Sequence, residues 1–422
     1  MSKVVLIRRK NESDWISCQS ITSNLEASYK SFIKDIIIID IESDFNKYDY
    51  YKKAEEILSH NPANIIFIDH TPHPHQLIKS LFYLSKVELN FTFHIFGDFT
   101  LQSSHWIGLE DILKQTNNKF ICASHKQTNL LKNLVDGLEE NLFTVPFPVD
   151  TNIFNYKEKE ISNEKFRFLY TGRLSDQKNI IELITLFNHF NLNINSNTEL
   201  IISGPYDDLG IPFLGKKMKS GAYGLTVESL VERLNNPNIQ IIGNLNHDDL
   251  VNYYQSSDAF ISISTHNDED YGMSPAEALC SGLPCLLTNW AGYTSFKLYC
   301  PSSVYLSPVD IQNHKNLPNK SDIIKKMTFL ASSKLSSKQR FDLSTTAQST
   351  LGISSVTESL SEIAEKDFTL GKNLSFTERF KALSSSHIYS PDTPFLKASN
   401  GEYNSLYKDV YWPYYEEEIN EK

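Results

Sequence analysis

The sequence predicts an α/β chain of two doubly wound parallel-sheet domains with a helical C-terminal extension. Three observations predict it. Short runs rich in Ile, Val, Leu and Phe recur without polar alternation, as in strands buried on both faces of a parallel sheet. Stretches long enough for crossover helices separate them. The series then repeats beyond a charged linker, Lys157–Lys165, so the chain implies two sheets, with ligand sites expected in a cleft at their carboxyl ends.

In the first series the runs are Val4–Ile7, Ile36–Asp40, Ile65–Asp69, Phe91–Phe96, Phe120–Ala123 and Leu142–Val145, with helices expected at His75–Lys86 and Lys126–Leu138. The second series comprises Phe166–Thr171, Glu199–Ser203, Ile239–Ile242, Ala259–Ser264 and Pro284–Thr288. Its helices are expected at Asn179–Phe190, Val227–Leu234, Asp248–Ser256 and Pro275–Ser281. From about Ile311 the strand signal fades and helices take over. These patterns give domains at 1–155 and 156–345 and an extension at 346–422. The last stretch, Leu374–Lys422, is aromatic and acidic, ending in Tyr411-Trp412-Pro413-Tyr414-Tyr415-Glu416-Glu417-Glu418. Its rings either pack back across the domains or meet a partner, and packing is preferred because such tails bury their aromatics.

The 422 residues carry 40 basic and 51 acidic side chains, a net charge of −11. Such a chain has no bulk attraction for nucleic acid or anionic lipid, although a local basic pocket is compatible with it. The five cysteines, Cys18, Cys122, Cys280, Cys285 and Cys300, form no CxxC pair. They read as small buried hydrophobes in a reducing compartment. No apolar run approaches the roughly 20 residues that span a bilayer. The opening Met1–Arg9 reads as a first strand and not as a secretion signal. A cytoplasmic protein is expected, with peripheral membrane contact left open.

The richest segment runs from His266 to Gly282, starting at the carboxyl end of the strand Ala259–Ser264. Ser274-Pro275 followed by Glu277 is a helix-start signature, with Ser274 expected as N-cap and Pro275 at the first helical position. A helix amino terminus behind a flexible Gly272 suits a phosphate. Glu269 and Glu277 each offer a carboxylate that accepts two hydroxyls of a sugar. The plainer alternative is that Glu277 completes a capping box and Glu269 is solvated. A second segment, Gly172-Arg173-Leu174-Ser175-Asp176-Gln177-Lys178-Asn179, follows the strand Phe166–Thr171. Arg173 with paired donors and Lys178 as a point charge suit a diphosphate, or are surface charges. Both segments sit in one strand series, which favours the ligand reading.

These residues resemble the retaining GT-B-fold glycosyltransferases often grouped as family 4, or glycosyltransferases group 1. The resemblance rests on Gly-Arg-Leu-Ser-x-Gln-Lys-Asn and the glutamates eight apart, and it covers about Phe143 to Lys366. Val145–Phe154 is similar to the family's interdomain crossing. Leu200–Gly204 and Ile239–Leu245 are similar to the strands and turns around its nucleotide. The resemblance implies two Rossmann-like domains facing a cleft. It implies that Arg173 and Lys178 hold the donor diphosphate, Glu277 the ribose and Glu269 the transferred sugar. Gly172, Gly204, Asp270, Tyr271, Gly272, Met273 and Ser274 would line the donor, and Gly243 and Asn244 would meet the base. His94 resembles the family's sugar-contacting histidine and completes the catalytic set with Glu269, Arg173 and Lys178. Asp98, His73 and His75 are acceptor-side candidates. The first loop, Arg8-Arg9-Lys10-Asn11-Glu12, departs from the family's glycine-rich loop, and its cations can substitute electrostatically.

The expected activity is transfer of a hexose from a nucleoside diphosphate sugar, UDP before GDP, with retention. The acceptor is a hydroxyl of a glycan, lipid-linked or protein substrate. No metal or other cofactor is expected, because the cations and helix dipole take up the leaving charge. His70-Thr71-Pro72-His73-Pro74-His75 invites a metal reading, but no carboxylate or Cys cluster completes such a site. Two rivals are a non-catalytic GT-B subunit that binds a glycan or partner enzyme, and a glycoside hydrolase using Glu269 and Glu277. The hydrolase leaves Arg173 and Lys178 without a task.

Overall fold

The computed structural model describes residues 3–9, 16–42, 45–68, 75–158, 164–207, 222–266, 269–312, 315–386 and 410. Among them the chain divides into two compact units. One contains residues up to Pro148 and resumes at Ile353; the other is the stretch Val149–Gly352. The divisions fall at Pro148/Val149 and Gly352/Ile353, against 155/156 and 345/346 from the sequence pattern.

The first unit carries a six-stranded sheet. Its strands are β1 (Val4–Arg9), β2 (Ile36–Ile41), β3 (Asn64–Phe67), β4 (Asn90–Ile95), β5 (Asn117–Cys122) and, after the short β6 (Val135–Asp136), β7 (Leu142–Thr144). They lie parallel in the order β2-β1-β3-β4-β5-β7. Val5, Leu6, Ile7, Phe91, Phe93 and Ile95 are wholly buried, which is why their runs lack polar alternation.

The helix expected over Lys126–Leu138 is corrected to His125–Leu134. Val135 turns extended, and β6 pairs antiparallel with Ser375–Phe376 from late in the chain. A distant pairing partner thus takes the backbone groups a longer helix would use, and no local pattern announces it.

Residues 353–386 belong to this first unit. The helix Ile353–Glu365 packs on the helix Ile16–Phe32, and Phe380 stacks on Phe99 at 5.2 Å between ring centres. Lys119, in mid-strand, is buried. Its ammonium donates to the Ile363 carbonyl at 2.8 Å and to that of Lys366, and lies 4.1 Å from the centre of the Phe368 ring. It therefore satisfies the carbonyls that close the late helix. Burial pushes its pKa down to about 8, against the nearby Asp367 charge, which raises it.

The second unit carries β8 (Phe166–Thr171), β9 (Thr198–Ser203), β10 (Ile239–Gly243), β11 (Ala259–Ser262), β12 (Cys285–Thr288) and β13 (Val304–Ser307). A hairpin of β14 (Val309–Gln312) and β15 (Lys315–Pro318) follows. None of these last three strands was expected, and β15 corrects the reading that strands fade from about Ile311. They are four residues each, too short to show a period, and polar residues interrupt the hairpin. Phe168, Leu200, Ile202, Ile261 and Leu286 pack with Leu183, Phe187 and Phe190 of the helix Ile180–Asn193.

The sheet order is β10-β9-β8-β11-β12-β13, all parallel. Chain direction through the sheet reverses between β8 and β11, and ligands of such sheets bind outside the carboxyl ends at that point. Among the described residues no helix is long and apolar enough to cross a membrane. Cys122, Cys280, Cys285 and Cys300 are free and buried.

Candidate functional site

Three glycines end β8, β9 and β10. The Gly172 amide donates to the Ser203 carbonyl at 3.0 Å, and the Gly204 amide to that of Gly243 at 2.9 Å. Gly204 has φ +147°, and a Cβ there would stand 1.8 Å from the Gly172 carbonyl oxygen. Only glycine lets the two strand ends come this close. Asn244, just past β10, is exposed.

Arg173 follows Gly172 in the turn after β8. The buried Tyr170 hydroxyl donates to its carbonyl at 2.9 Å. Its guanidinium donates to Gln177 Oε1 at 3.0 Å and forms an ion pair with Asp207. A short 3-10 turn, Asp176–Lys178, leads to Asn179 in the left-handed region at φ +54°. The Asn179 amide group donates to the Ile263 carbonyl at 2.8 Å and to Thr265 Oγ1 at 3.0 Å. That bridge ties the β8 turn to the end of β11 and brings Lys178 against Glu269, with which it forms an ion pair.

Glu269 is buried and its carbonyl accepts from the Gly292 amide at 2.7 Å. The buried Tyr293 hydroxyl feels the charge of the Glu269 carboxylate and sits 2.8 Å from Ser262 Oγ. Burial, then the Glu269 charge, push the Tyr293 hydroxyl well above its ordinary value. Asp270 and Tyr271 continue the loop, with Tyr271 packed on Phe296 at 5.1 Å.

The helix is Met273–Cys280, with Gly272 as its N-cap and no side chain capping it. This corrects the expectation that Ser274 caps and Pro275 comes first. Gly272 has φ +106°, and a Cβ there would lie 2.7 Å from the Tyr293 ring, so the helix starts two residues early, from a glycine cap. Ser274 and Pro275 are its second and third residues, where the missing proline N–H costs no helical bond. The amides of Met273 and Ser274 lie outside the helical ladder and suit an anion.

Glu277 does not serve as a capping-box partner. Its Oε2 accepts from the Tyr254 hydroxyl at 2.9 Å, and that oxygen lies 2.6 Å from Thr171 Oγ1, at the end of β8. Burial raises the Glu277 carboxyl to about 7, with the Tyr254 hydrogen bond opposing the rise.

In the first unit, His94 lies within β4 and is buried, its Nε2 2.7 Å from the Tyr29 hydroxyl. Burial lowers its pKa to about 3, so it stays neutral in the ordinary pH range. Asp98 is buried and accepts from the Thr100 amide and hydroxyl, both at 2.8 Å. His75 opens a helix, stacked on His105 at 4.9 Å. Arg8 pairs with Asp40 at 2.7 Å and with Glu26. His73, Lys10 and the tail from 387, except Val410, lie outside the described residues. Among the described residues no three His, Cys, Asp or Glu side chains gather as a metal site.

Sequence reasoning missed Asp207, Tyr254 and Tyr293. Asp207 lies in the turn after β9, Tyr254 in the helix His247–Ser256 and Tyr293 at the start of the helix Tyr293–Tyr299, and each takes its part only through a partner far along the chain.

Arg173, Lys178, Glu269 and Glu277 thus meet at the β8/β11 end of one sheet. Residues 152–296 match the family model of glycosyl transferases group 1. All four side chains fall inside that span. No curated protein matches the chain by sequence. Among solved structures, the chain is similar to sucrose-phosphate synthase from Thermosynechococcus elongatus at 13% identity and TM-score 0.60, covering 86% of this chain and 98% of that one. It is similar to the trehalose-6-phosphate synthase OtsA at 9% identity and TM-score 0.61, covering 87% and 100%. Anabaena HepE, solved with UDP and glucose, matches at 9% identity and TM-score 0.59, covering 86% and 99%. The fold is therefore that of the GT-B glycosyltransferases: two parallel, Rossmann-like sheets flanked by helices.

Proposed function

We propose that the chain is a retaining glycosyltransferase that moves a hexose from a nucleoside diphosphate sugar to a hydroxyl of a glycan, lipid-linked or protein acceptor. The observation that carries this reading is the meeting of two cations, two buried carboxylates and a helix amino terminus where the second sheet reverses its strand order. UDP is the preferred nucleotide, since HepE and a trehalose-6-phosphate synthase from E. coli were solved with UDP or a UDP-sugar.

In this reading the bond between the anomeric carbon and the diphosphate oxygen breaks, and its electron pair stays on the diphosphate. Arg173, Lys178 and the Met273 and Ser274 amides stabilise that charge. Glu269 holds hydroxyls of the sugar and Glu277 those of the ribose. The acceptor hydroxyl attacks the face the diphosphate leaves and gives its proton to a phosphate oxygen. No metal is needed for these roles. His94 and Asp98 are engaged within their own unit, so the donor chemistry is assigned without them.

Binding of UDP, GDP and ADP followed by thermal shift, with turnover of the matching sugar nucleotides, tests the reading. One diphosphate should stabilise the protein, and Arg173→Ala should cut turnover by about 10²- to 10³-fold. Wild-type rates in both Arg173→Ala and Glu277→Ala refute the site. The rival reading, a binding subunit without activity, draws on both cations being already paired with carboxylates. Donor hydrolysis by the isolated chain rules it out.

A further inference from the structure

Arg173 faces two acceptors of different character. Gln177 supplies a neutral amide oxygen at 3.0 Å, whereas Asp207 supplies a full negative charge. Asp207 is only 3% exposed, so water screens that charge poorly. Backbone bonds also fix its position. The Leu174 amide donates to the Pro205 carbonyl at 2.8 Å, and the Asp207 amide donates back to the Leu174 carbonyl at 3.1 Å. These two bonds clamp the turn after β9 onto the turn after β8, on either side of Arg173's neighbour.

The second cation is balanced in the same manner, by Glu269. Counted together, Arg173, Lys178, Asp207 and Glu269 sum to no net charge. A diphosphate reaching Arg173 thus meets a guanidinium that shares its charge with a fixed anion. Positioning is already provided without Asp207, because Gln177 holds the guanidinium and the Tyr170 hydroxyl holds the Arg173 carbonyl.

We propose that Asp207 is a built-in counter-charge that competes with the diphosphate for Arg173, weakening the hold on the nucleoside diphosphate product and speeding its release. The inference rests on the proposed function and adds a residue to it. Asp207 contributes no bond to the transferred sugar; it sets how tightly the leaving group is kept.

Calorimetry on the full chain tests this with Asp207→Asn, which keeps the shape and removes the charge. Of UDP, GDP and ADP, the ligand is the one the wild type binds most tightly. The variant should bind it about tenfold more tightly, equivalent to about 1.4 kcal/mol. The gain should shrink in high salt and be absent for the corresponding nucleoside. Asp207→Glu should return affinity towards wild type. Should Asp207→Asn not fold, Asp207→Ser carries the same expectation. Unchanged or weaker diphosphate binding overturns the inference and leaves the functional reading standing. Failure of all three diphosphates to bind either protein sinks both, a result plainly different from the first.

Discussion

Tyr254→Phe isolates one hydroxyl in the proposed donor site. That group donates to Glu277 Oε2 at 2.9 Å and lies beside Thr171 Oγ1 at 2.6 Å. Tyr271 and Cys280 also feel the Glu277 charge, and each is pushed up chiefly by its own burial. Burial raises Glu277 to about 7, and the tyrosine hydrogen bond restrains that rise. A hydrogen bond to an ionised group contributes about 1.5–3 kcal/mol, and about 1.4 kcal/mol corresponds to one pH unit. Removing the hydroxyl should therefore move the Glu277 titration up by about one to two units. In the proposed function ionised Glu277 accepts the ribose hydroxyls, so affinity for the nucleoside diphosphate should fall as pH drops through the titration. For the wild type that midpoint lies at about 7, and for Tyr254→Phe it should lie at least one unit higher, by about the margin just derived. Dissociation constants measured between about pH 5.5 and 9.5 read this directly, with the two proteins converging at the alkaline end. Stability runs the other way. The folded carboxyl titrates above its unfolded value, so its contribution is full at acid pH and is lost as pH climbs through about 7. An unmoved or lowered binding midpoint in Tyr254→Phe refutes the reasoning.

Gly204→Ala should cost roughly 3 kcal/mol or more, because its methyl would stand 1.8 Å from the Gly172 carbonyl oxygen; an unchanged urea midpoint contradicts this. Lys119→Met strands the carbonyls of Ile363 and Lys366 and should lower stability by about 2–4 kcal/mol, read from denaturant curves and faster proteolysis after Ile353. Turnover should persist in excess chelator, since the proposed mechanism draws its positive charge from Arg173 and Lys178; complete loss there counts against the metal-free reading.

All the strands of the first six-stranded sheet and all of the second but β13 were legible because their buried runs carry little polar alternation, and that signal is local. Arg173, Lys178, Glu269 and Glu277 stood out as site candidates because each follows a strand end within a recognisable spacing. What escaped depends on partners distant in sequence. Lys119 reads as a surface charge until the late helix closes over it. Nothing near Tyr254 in the sequence points to Glu277, which its hydroxyl meets across the fold. The helix start was misread by two residues because Ser274-Pro275 is a strong local signature, while the decisive fact, the positive φ of Gly272 beside Tyr293, is tertiary. The C-terminal segment was set apart as an extension because nothing nearby reveals that β6 awaits Ser375–Phe376.

That pairing fixes an order of assembly. During synthesis the chain emerges from its amino end, yet the unit at that end must wait for Ile353–Glu365, Ser375–Phe376 and Phe380 before its helix, edge strand and ring contacts exist. Among the described residues the middle unit is contiguous and can close first. A nonsense mutation near Ile353 should thus spare the middle unit and injure the portion translated earliest.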